Sequence, residues 1–521
     1  MVSLILTLII PTLFLVVYSL IKLSYSIWWK PKWLEKQLKL QGIKGTPYNL
    51  LIGDMKEWMK QVQDAWSTPI NLNHQIAARV DPFTNSIVQK YGKVSMCWGG
   101  ATPRLIIKDA EMMKQVLSNK QGHFRKPYLS PLLLVLTKGL TTLEGQKWAQ
   151  HRKIINPAFH IEKLKNMVPA MVATCGEFVE RWKNLATAEG CCEVDIWPEF
   201  QNLTADVISR TAFASNYKEG TQIFKLQKEL VELVIQVMQT LWINIPGFRY
   251  IPTKKNQRRK ELSRIITSNL RDVIKKKESA VKAGEGTNDL LGLLLQSNQD
   301  YIQEENSTLT KNSGLTIEEV IQESKQFYLA GQETTASLLT WAVIVLAMHQ
   351  DWQDKARQEV IRVFGSNNID YEAISCLNTV NMILMEVLRL YPPVIAQYQH
   401  TYKDTKLGEL SIPAGVDITL PTLLIHHDPD IWGEDVYEFK PERFSKGISN
   451  ASKDHFAFFP FGYGPRTCVG QNFAFIEAKV TLSMLLLNFT FRLSPSYRHA
   501  PHTVMMLQPQ HGADIILQTL K

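Results

Sequence analysis

Cys468 lies in the run Phe461-Gly462-Tyr463-Gly464-Pro465-Arg466-Thr467-Cys468-Val469-Gly470, and the chemistry this setting favours is iron ligation by a thiolate. A cysteine sulfur must lose its proton to bind iron, and as a thiolate it is a strong electron donor. Gly462, Gly464, Gly470 and Pro465 hold the backbone in a tight loop, and glycine lets a backbone approach a flat macrocycle closely. A helix is expected to begin near Gln471, which would set free N–H groups and a positive dipole end beside the sulfur. Arg466, two residues before it, is placed to meet an acidic group on a bound macrocycle. The plainer alternative, a buried structural cysteine, leaves the other nine positions of the arrangement unexplained.

Three further constellations could carry or support chemistry. In Ala330-Gly331-Gln332-Glu333-Thr334-Thr335, the Thr334 hydroxyl can turn back to the carbonyl of Ala330 and open a local groove in a helix. Glu333 beside it is a carboxylate able to feed protons toward that groove. Small residues also serve close helix crossings, which is the competing account of Ala330 and Gly331. Glu386 and Arg389 stand three apart on one helix face, and Trp148 and Arg152 one helical turn apart.

The elements that must hold these residues follow from periodicity. Ile317 to Met348 reads as one long helix carrying Glu333 and Thr334, with Thr316 as its cap and Glu318 and Glu319 in its first turn. Residues 50 to 380 read mostly as helix, interrupted by strand-like stretches at Val94–Trp98 and Arg104–Ile107. Short strands with Pro and Gly turns appear at Leu410–Pro413 and Asp417–Pro421. The polar stretch Gly284–Gly314 is expected to be a mobile surface loop. The fold class is therefore mainly α with small β-sheets, and no internal repeat is present.

With 521 residues, 45% hydrophobic and 21% charged, the chain can bury a sizeable core and a cofactor. Its six cysteines show no CxxC spacing, and Cys191 and Cys192 are adjacent, so a reducing compartment is expected. The net charge of +9 favours acidic partners or an anionic membrane surface. The basic runs Lys254–Lys260 and Lys275–Lys277 alternate with Leu262, Ile266, Leu270 and Ile274 at helical spacing. They read as a solvated helix face, with no nucleic acid as partner.

Residues 2 to 21 contain no charge and are dominated by Leu, Ile, Val and Phe, enough to cross a hydrocarbon core. Tyr18, Trp28 and Trp29 mark an interface. Lys22, Lys30, Lys32, Lys36 and Lys39 follow, placing the downstream body in the cytosol by the positive-inside rule. A cleaved signal peptide fits less well, because no basic residues precede the apolar run. The sequons at Asn202, Asn306, Asn450 and Asn488 are then chance matches. The expected organisation is an anchor over 1–21, a basic, aromatic linker and hinge over 22–48, and a catalytic domain over 49–521.

The Cys468 segment resembles the haem-binding loop of the cytochrome P-450 superfamily, Phe-x-x-Gly-x-Arg-x-Cys-x-Gly, with Phe461, Gly464, Arg466, Cys468 and Gly470 at its defining positions. The resemblance extends to Ala330–Thr335, to Glu386-x-x-Arg389, to Pro441-Glu442-Arg443-Phe444, and to Trp148-x-x-x-Arg152. It implies the P-450 fold with Cys468 as axial ligand of a haem iron. Phe461 belongs to the haem loop, and Arg466, Trp148 and Arg152 would contact the haem and its propionates. Glu333 and Thr334 would deliver protons to dioxygen, and Glu386, Arg389 and Arg443 would support the haem loop. The Gln41–Tyr48 stretch resembles the proline-rich hinge of membrane-bound members, here with one proline. Val394 to His400 departs from the pattern, since no basic residue precedes His400; either Gln399 leaves a propionate contact unmade or His400 takes it over.

The implied function is a membrane-anchored haem-thiolate monooxygenase that inserts one atom of dioxygen into a small hydrophobic substrate. Its electrons would come from NADPH through a partner reductase, for which a basic surface suits docking. Asp404–Gly408, His426–Asp428, Ile431–Gly433 and Pro509–Gly512 resemble a plant clan that oxidises terpenoids and hormones at the endoplasmic reticulum. Pro127–Pro131, Phe327, Ala330, Val394–Gln397 and Val504–Met506 are the candidate pocket positions by that analogy. The rival readings are a haem-thiolate isomerase or dehydratase, against which the Glu333–Thr334 pair argues, and a non-catalytic haem-binding protein.

Overall fold

The computed structural model describes residues 2–119, 122–129, 133–186, 190–213, 217–238, 253–284, 289–306, 314–365 and 369–520. Helix α1 (Val2–Ser24) passes through a π turn at Tyr25–Trp29 into α2 (Lys30–Lys39). The helices that build the body around the site are α3 (Gly145–Ile155), α4 (Ile196–Phe213), α5 (Tyr217–Met238), α6 (Leu290–Asn306), α7 (Ile317–Met348), α8 (Asn378–Leu390) and α9 (Gln471–Asn488).

Helix α7 is the axis of the larger core. Its start is fixed by a reciprocal cap: the Thr316 hydroxyl accepts from the Glu319 N–H at 3.3 Å, and Glu319 Oε2 accepts from the Thr316 N–H at 3.0 Å. Its second half is apolar all round and packed on every side, with Leu339, Trp341 and Val345 fully buried. Among the described residues, two helices are apolar and long enough to cross a membrane, Ile10–Lys39 and Ile317–Met348. The second has 72% of its apolar window buried and is a core helix, whereas the first has 0% buried. Pro11 lies inside α1.

A six-stranded sheet forms the β-rich side. Its strands are β1 (Lys44–Gly45), β2 (Val94–Gly99), β3 (Thr102–Ile107), β4 (Phe124–Arg125), β5 (Gln397–Thr401) and β6 (Asp417–Leu420), ordered β1-β2-β3-β6-β5-β4. Register sets Gln399 opposite Ile418 and His400 opposite Asp417. A second hydrophobic core lies between this sheet and the segment before Cys468, uniting Leu105 and Ile418 with Phe444, Phe456 and Phe459.

The Gly284–Gly314 stretch does not form one loop. Residues 285–288 and 307–313 lie outside the described residues, but α6 occupies the centre. Its leucine run drives this: Leu290, Leu291 and Leu294 are buried in the main core, outweighing the polar composition around them.

The linker between α1 and the body is tied down rather than free. Leu34 and Leu38 of α2 are buried in the second core. Strand β1 pairs with β2, and the Tyr48 hydroxyl donates to the carbonyl of Ile27 at 2.5 Å. Buried Asp54 joins the same corner, accepting from the Thr46 hydroxyl at 2.6 Å and the Trp98 N–H at 2.7 Å.

A cluster of neutral histidines lies deep beside α7 and α8. His74 Nδ1 meets the Tyr391 hydroxyl at 2.8 Å, His499 Nδ1 meets the Tyr497 hydroxyl at 2.9 Å, and His427 Nε2 meets the Leu390 carbonyl at 2.9 Å. Burial, reinforced by His349, pushes His74 down to about 3. Burial, reinforced by Arg389, pushes His427 down to about 3, and burial pushes His499 down to about 4. Above pH 6.5 these rings are neutral whether the chain is folded or not. Below it the unfolded chain takes up protons that the native cluster refuses, so stability falls as pH drops from about 6.5 toward 4. Each ring contributes about 1.4 kcal/mol per pH unit over that window. Urea midpoints measured from pH 7.5 to 5 are expected to fall steeply below pH 6.5, and a flat profile would refute this account.

Candidate active site

A cavity of about 340 Å³ opens between α7, α3 and the segment ending at Cys468. Cys468 is exposed to this cavity rather than to the outer surface. The loop that presents it is closed by the Cys468 N–H donating to the Phe461 carbonyl at 2.8 Å. Gly464 has φ +71°, and a Cβ there would come within 2.6 Å of the Leu117 carbonyl oxygen, so the loop tolerates no side chain at that point. Helix α9 starts at Gln471 with Gly470 as its cap, as expected from the sequence. Dense surroundings push the Cys468 thiol up, opposed by the Gly470 N–H and by the charge of Arg152. The protein thus supplies a donor and a cation for a thiolate but leaves it short of full stabilisation.

Among the described residues, three cations border the cavity. Arg152 Nη1 donates to the Thr467 carbonyl at 2.8 Å, pinning the residue before Cys468. Arg466 pairs with Glu144 at 2.7 Å, donates to the Leu143 carbonyl at 2.9 Å, and lies 4.6 Å over the ring of Trp148. Lys126 is the third, and burial together with Arg466 lowers it to about 8, against the pull of Glu144. No aspartate or glutamate is among the described residues that line the cavity. Such a donor set suits a bound group that carries carboxylates at one edge and an acceptor of a sulfur ligand at its centre. Phe461 also lines the cavity and packs on Phe475, 5.4 Å between ring centres.

Sequence reasoning missed Lys126. The only signal for it was a basic pair, Arg125-Lys126, at the end of a very short strand. The residues weighed in its place do not reach the cavity: Gln399 is buried in the sheet, and His400 Nδ1 pairs with Asp417 at 2.6 Å. The strand residue at the cavity is the neutral Gln397. Of the other candidate pocket positions, Phe327, Ala330 and Val394 line the cavity, whereas Ile395, Ala396 and Val504–Met506 do not. Residues 127–129 do not line it either, and Ser130 and Pro131 lie outside the described residues.

On the facing wall, the Thr334 hydroxyl donates to the Ala330 carbonyl at 2.7 Å, and both residues line the cavity. Gly331 serves two purposes at once. It lines the cavity, and a Cβ there would meet Ile208 of α4 at 3.1 Å, so the helix crossing is also close. Helix α4 grips this turn from behind. The Thr204 hydroxyl donates to the Gln332 carbonyl at 3.1 Å, and Gln332 Nε2 donates to the Gln201 carbonyl at 3.2 Å. Glu333 points the same way and does not line the cavity; its Oε1 accepts from Gln201 Nε2 at 3.4 Å. Burial raises the Glu333 carboxyl, opposed by Lys228 and Gln201. An acid raised by burial behind the groove can carry a proton to it only through an intervening hydroxyl or water.

Glu386 and Arg389 of α8 form a fully buried two-pronged pair at 2.8 and 2.7 Å. Arg443 joins Glu386 at 3.4 Å. Arg389 also donates to the carbonyls of His426, Val436 and Glu438. His426 Nε2 in turn accepts from the Phe459 N–H at 3.4 Å, two residues before Phe461. The network therefore fixes the start of the Cys468 loop.

A family model described as Cytochrome P450 matches residues 67–516. Cytochrome P450 CYP72A616 of Paris polyphylla is 51% identical over 495 residues, covering 95% of each chain. The 11-oxo-beta-amyrin 30-oxidase of Glycyrrhiza uralensis is 50% identical over 499 residues, covering 95% of this chain and 94% of that one. Among solved structures, retinoic acid bound cyanobacterial CYP120A1 superposes with a TM-score of 0.76 over 92% of this chain and 99% of that one. At 22% identity this last likeness concerns the fold alone.

Proposed function

Because this chain belongs to the cytochrome P450 family and is a haem-thiolate monooxygenase, we propose that Cys468 is its iron ligand and that a terpenoid is its substrate. The observation that carries this reading is the meeting of the Cys468 sulfur, three cations and the Thr334 groove in one cavity. When bound there, a thiolate-ligated haem supplies dioxygen activation and insertion of one oxygen atom into the substrate.

The chain's own residues hold and serve that group. Arg152, Arg466 and Lys126 would meet its carboxylates, Trp148 would brace Arg466, and Phe461 would pack beside the sulfur loop. Burial opposes loss of the thiol proton at the start of α9, and the Gly470 N–H and Arg152 are the groups that would favour the anion once the haem is bound. Thr334 offers a hydroxyl to the reacting centre while its own proton is held on the Ala330 carbonyl. Glu333 supplies the proton from behind, Gln201 and Lys228 fixing its position. The apolar part of the wall, including Phe327, Leu338 and Val394, excludes water and accepts a hydrophobic skeleton.

A terpenoid fits this reading, because a relative at 50% identity is an 11-oxo-beta-amyrin 30-oxidase. Residues 1–21 would anchor the protein in the endoplasmic reticulum membrane as a single pass, residues 22–48 would link it to the catalytic domain over 49–521, and NADPH electrons would arrive through a partner reductase. Membranes containing the protein, a plant reductase and NADPH are to be tested with triterpenoids, diterpenoids, steroids, iridoids and cytokinins. A hydroxylated terpenoid is the expected product. In Thr334→Ala, NADPH consumption should persist as peroxide while product falls on the order of a hundredfold; Thr334→Ser should restore much of it. Unchanged coupling in Thr334→Ala would remove the proton-delivery role.

A further inference from the structure

One polar side chain in the cavity wall is committed on one side and free on the other. Gln326 of α7 is 6% exposed and lines the cavity. Its Oε1 accepts from Thr141 twice, at 3.2 Å from the backbone N–H and at 2.9 Å from the hydroxyl. A backbone N–H can only donate, so the atom facing it is the amide oxygen and the orientation of the carboxamide is settled. The NH₂ group then has no acceptor among the described residues.

The latch that sets this orientation is rigid. Thr141 sits in a turn closed by the Thr142 and Leu143 N–H groups on the Gly139 carbonyl, at 2.9 and 3.0 Å. The Leu140 N–H ties the turn to α7 through Glu323 Oε2 at 3.1 Å, and Glu323 Oε1 is held by His151 at 2.6 Å. A Cβ at Gly139 would come 2.8 Å from Glu323 Oε2 and 2.9 Å from Gln326 Oε1, so the turn lies flat against the helix.

With its oxygen committed and no acceptor for its NH₂ among the described residues, this cavity-lining amide is open to an acceptor on a group that enters the cavity. The other polar side chains there have different company. Lys126 faces the edge where Arg466 stands, and Gln397 lies against Gly462 of the sulfur loop.

We propose that Gln326 is a specificity-determining residue whose NH₂ donates to an acceptor oxygen, a carbonyl or hydroxyl, on an otherwise apolar substrate. The inference rests on the monooxygenase reading above and adds that a substrate already bearing oxygen is preferred to a bare hydrocarbon. Glutamate at this position is the sharpest variant, since a carboxylate still accepts both Thr141 bonds but has no proton to donate.

The test uses purified holoenzyme titrated with adamantane and 2-adamantanone, cages that differ by one carbonyl, with binding read by the haem absorbance shift and by calorimetry. The ketone should bind about tenfold more tightly to the unmodified protein. In Gln326→Glu and in Gln326→Leu that preference should vanish while hydrocarbon affinity is kept. Equal affinities in the unmodified protein, binding of neither cage, or a preference that survives both substitutions would overturn the proposal. The reduced carbon-monoxide spectrum of the same sample separates the two levels. A missing thiolate band counts against the monooxygenase reading itself, whereas a normal band without ketone preference counts against Gln326 alone.

Discussion

Replacing Cys468 with serine should abolish the reduced carbon-monoxide thiolate band and lower NADPH-dependent oxidation by at least about a thousandfold. The size of the effect follows from the donor, because a serine hydroxyl is not deprotonated where Arg152 and one N–H are all that favour the anion. Folding should survive. The contact that closes the loop is made by the Cys468 backbone N–H, not by its side chain, and the sulfur faces the cavity. The urea midpoint of the apoprotein is therefore expected to match that of the unmodified apoprotein. A serine variant that kept the thiolate band would show that another residue ligates the iron.

Replacing Arg389 with methionine should have the largest effect on stability, a loss of about 3–5 kcal/mol by urea denaturation. The substitution leaves Glu386 charged and fully buried, with the more distant Arg443 as its remaining cationic partner. It also strands three carbonyls that Arg389 now satisfies. The double variant Glu386→Leu with Arg389→Met removes the uncompensated charge but not the stranded carbonyls. It should recover only part of the loss. Because His426 links this network to Phe459, haem retention in the single variant should fall along with stability; full haem retention would uncouple the network from the loop.

What was legible in the sequence was what is local in the chain. The Thr334–Ala330 bond spans four residues of one helix, and Glu386 and Arg389 share one turn, so residue types and spacing were enough to expect them. The Cys468 loop is likewise built from ten consecutive residues. The direction of Glu333 was not legible, because it depends on Gln201 of a helix that crosses behind α7. Lys126 and the Thr141–Gln326 latch bring together segments separated by long stretches of chain, and neither composition nor period marks them. In β5, strand alternation puts Gln397 and Gln399 on the same face of the sheet, yet only the first lies at the end that meets the cavity. Helix α6 was obscured by its polar flanks, although its leucine run was in plain view.

The attachment of α2 to the sheet decides where a shortened recombinant form of this protein can begin. The side chains of Leu13, Phe14, Leu20 and Leu23 are exposed, so trimming the chain up to Ser24 removes an apolar surface and none of the described residues of either core. Such a form keeps the Ile27 carbonyl that receives Tyr48. Trimming past Lys39 instead removes Leu34 and Leu38 from the second core and bares β-sheet surface that is apolar by design of the fold. A start between Ser24 and Ile27 therefore sheds the apolar helix while keeping both the second core and the Tyr48 acceptor.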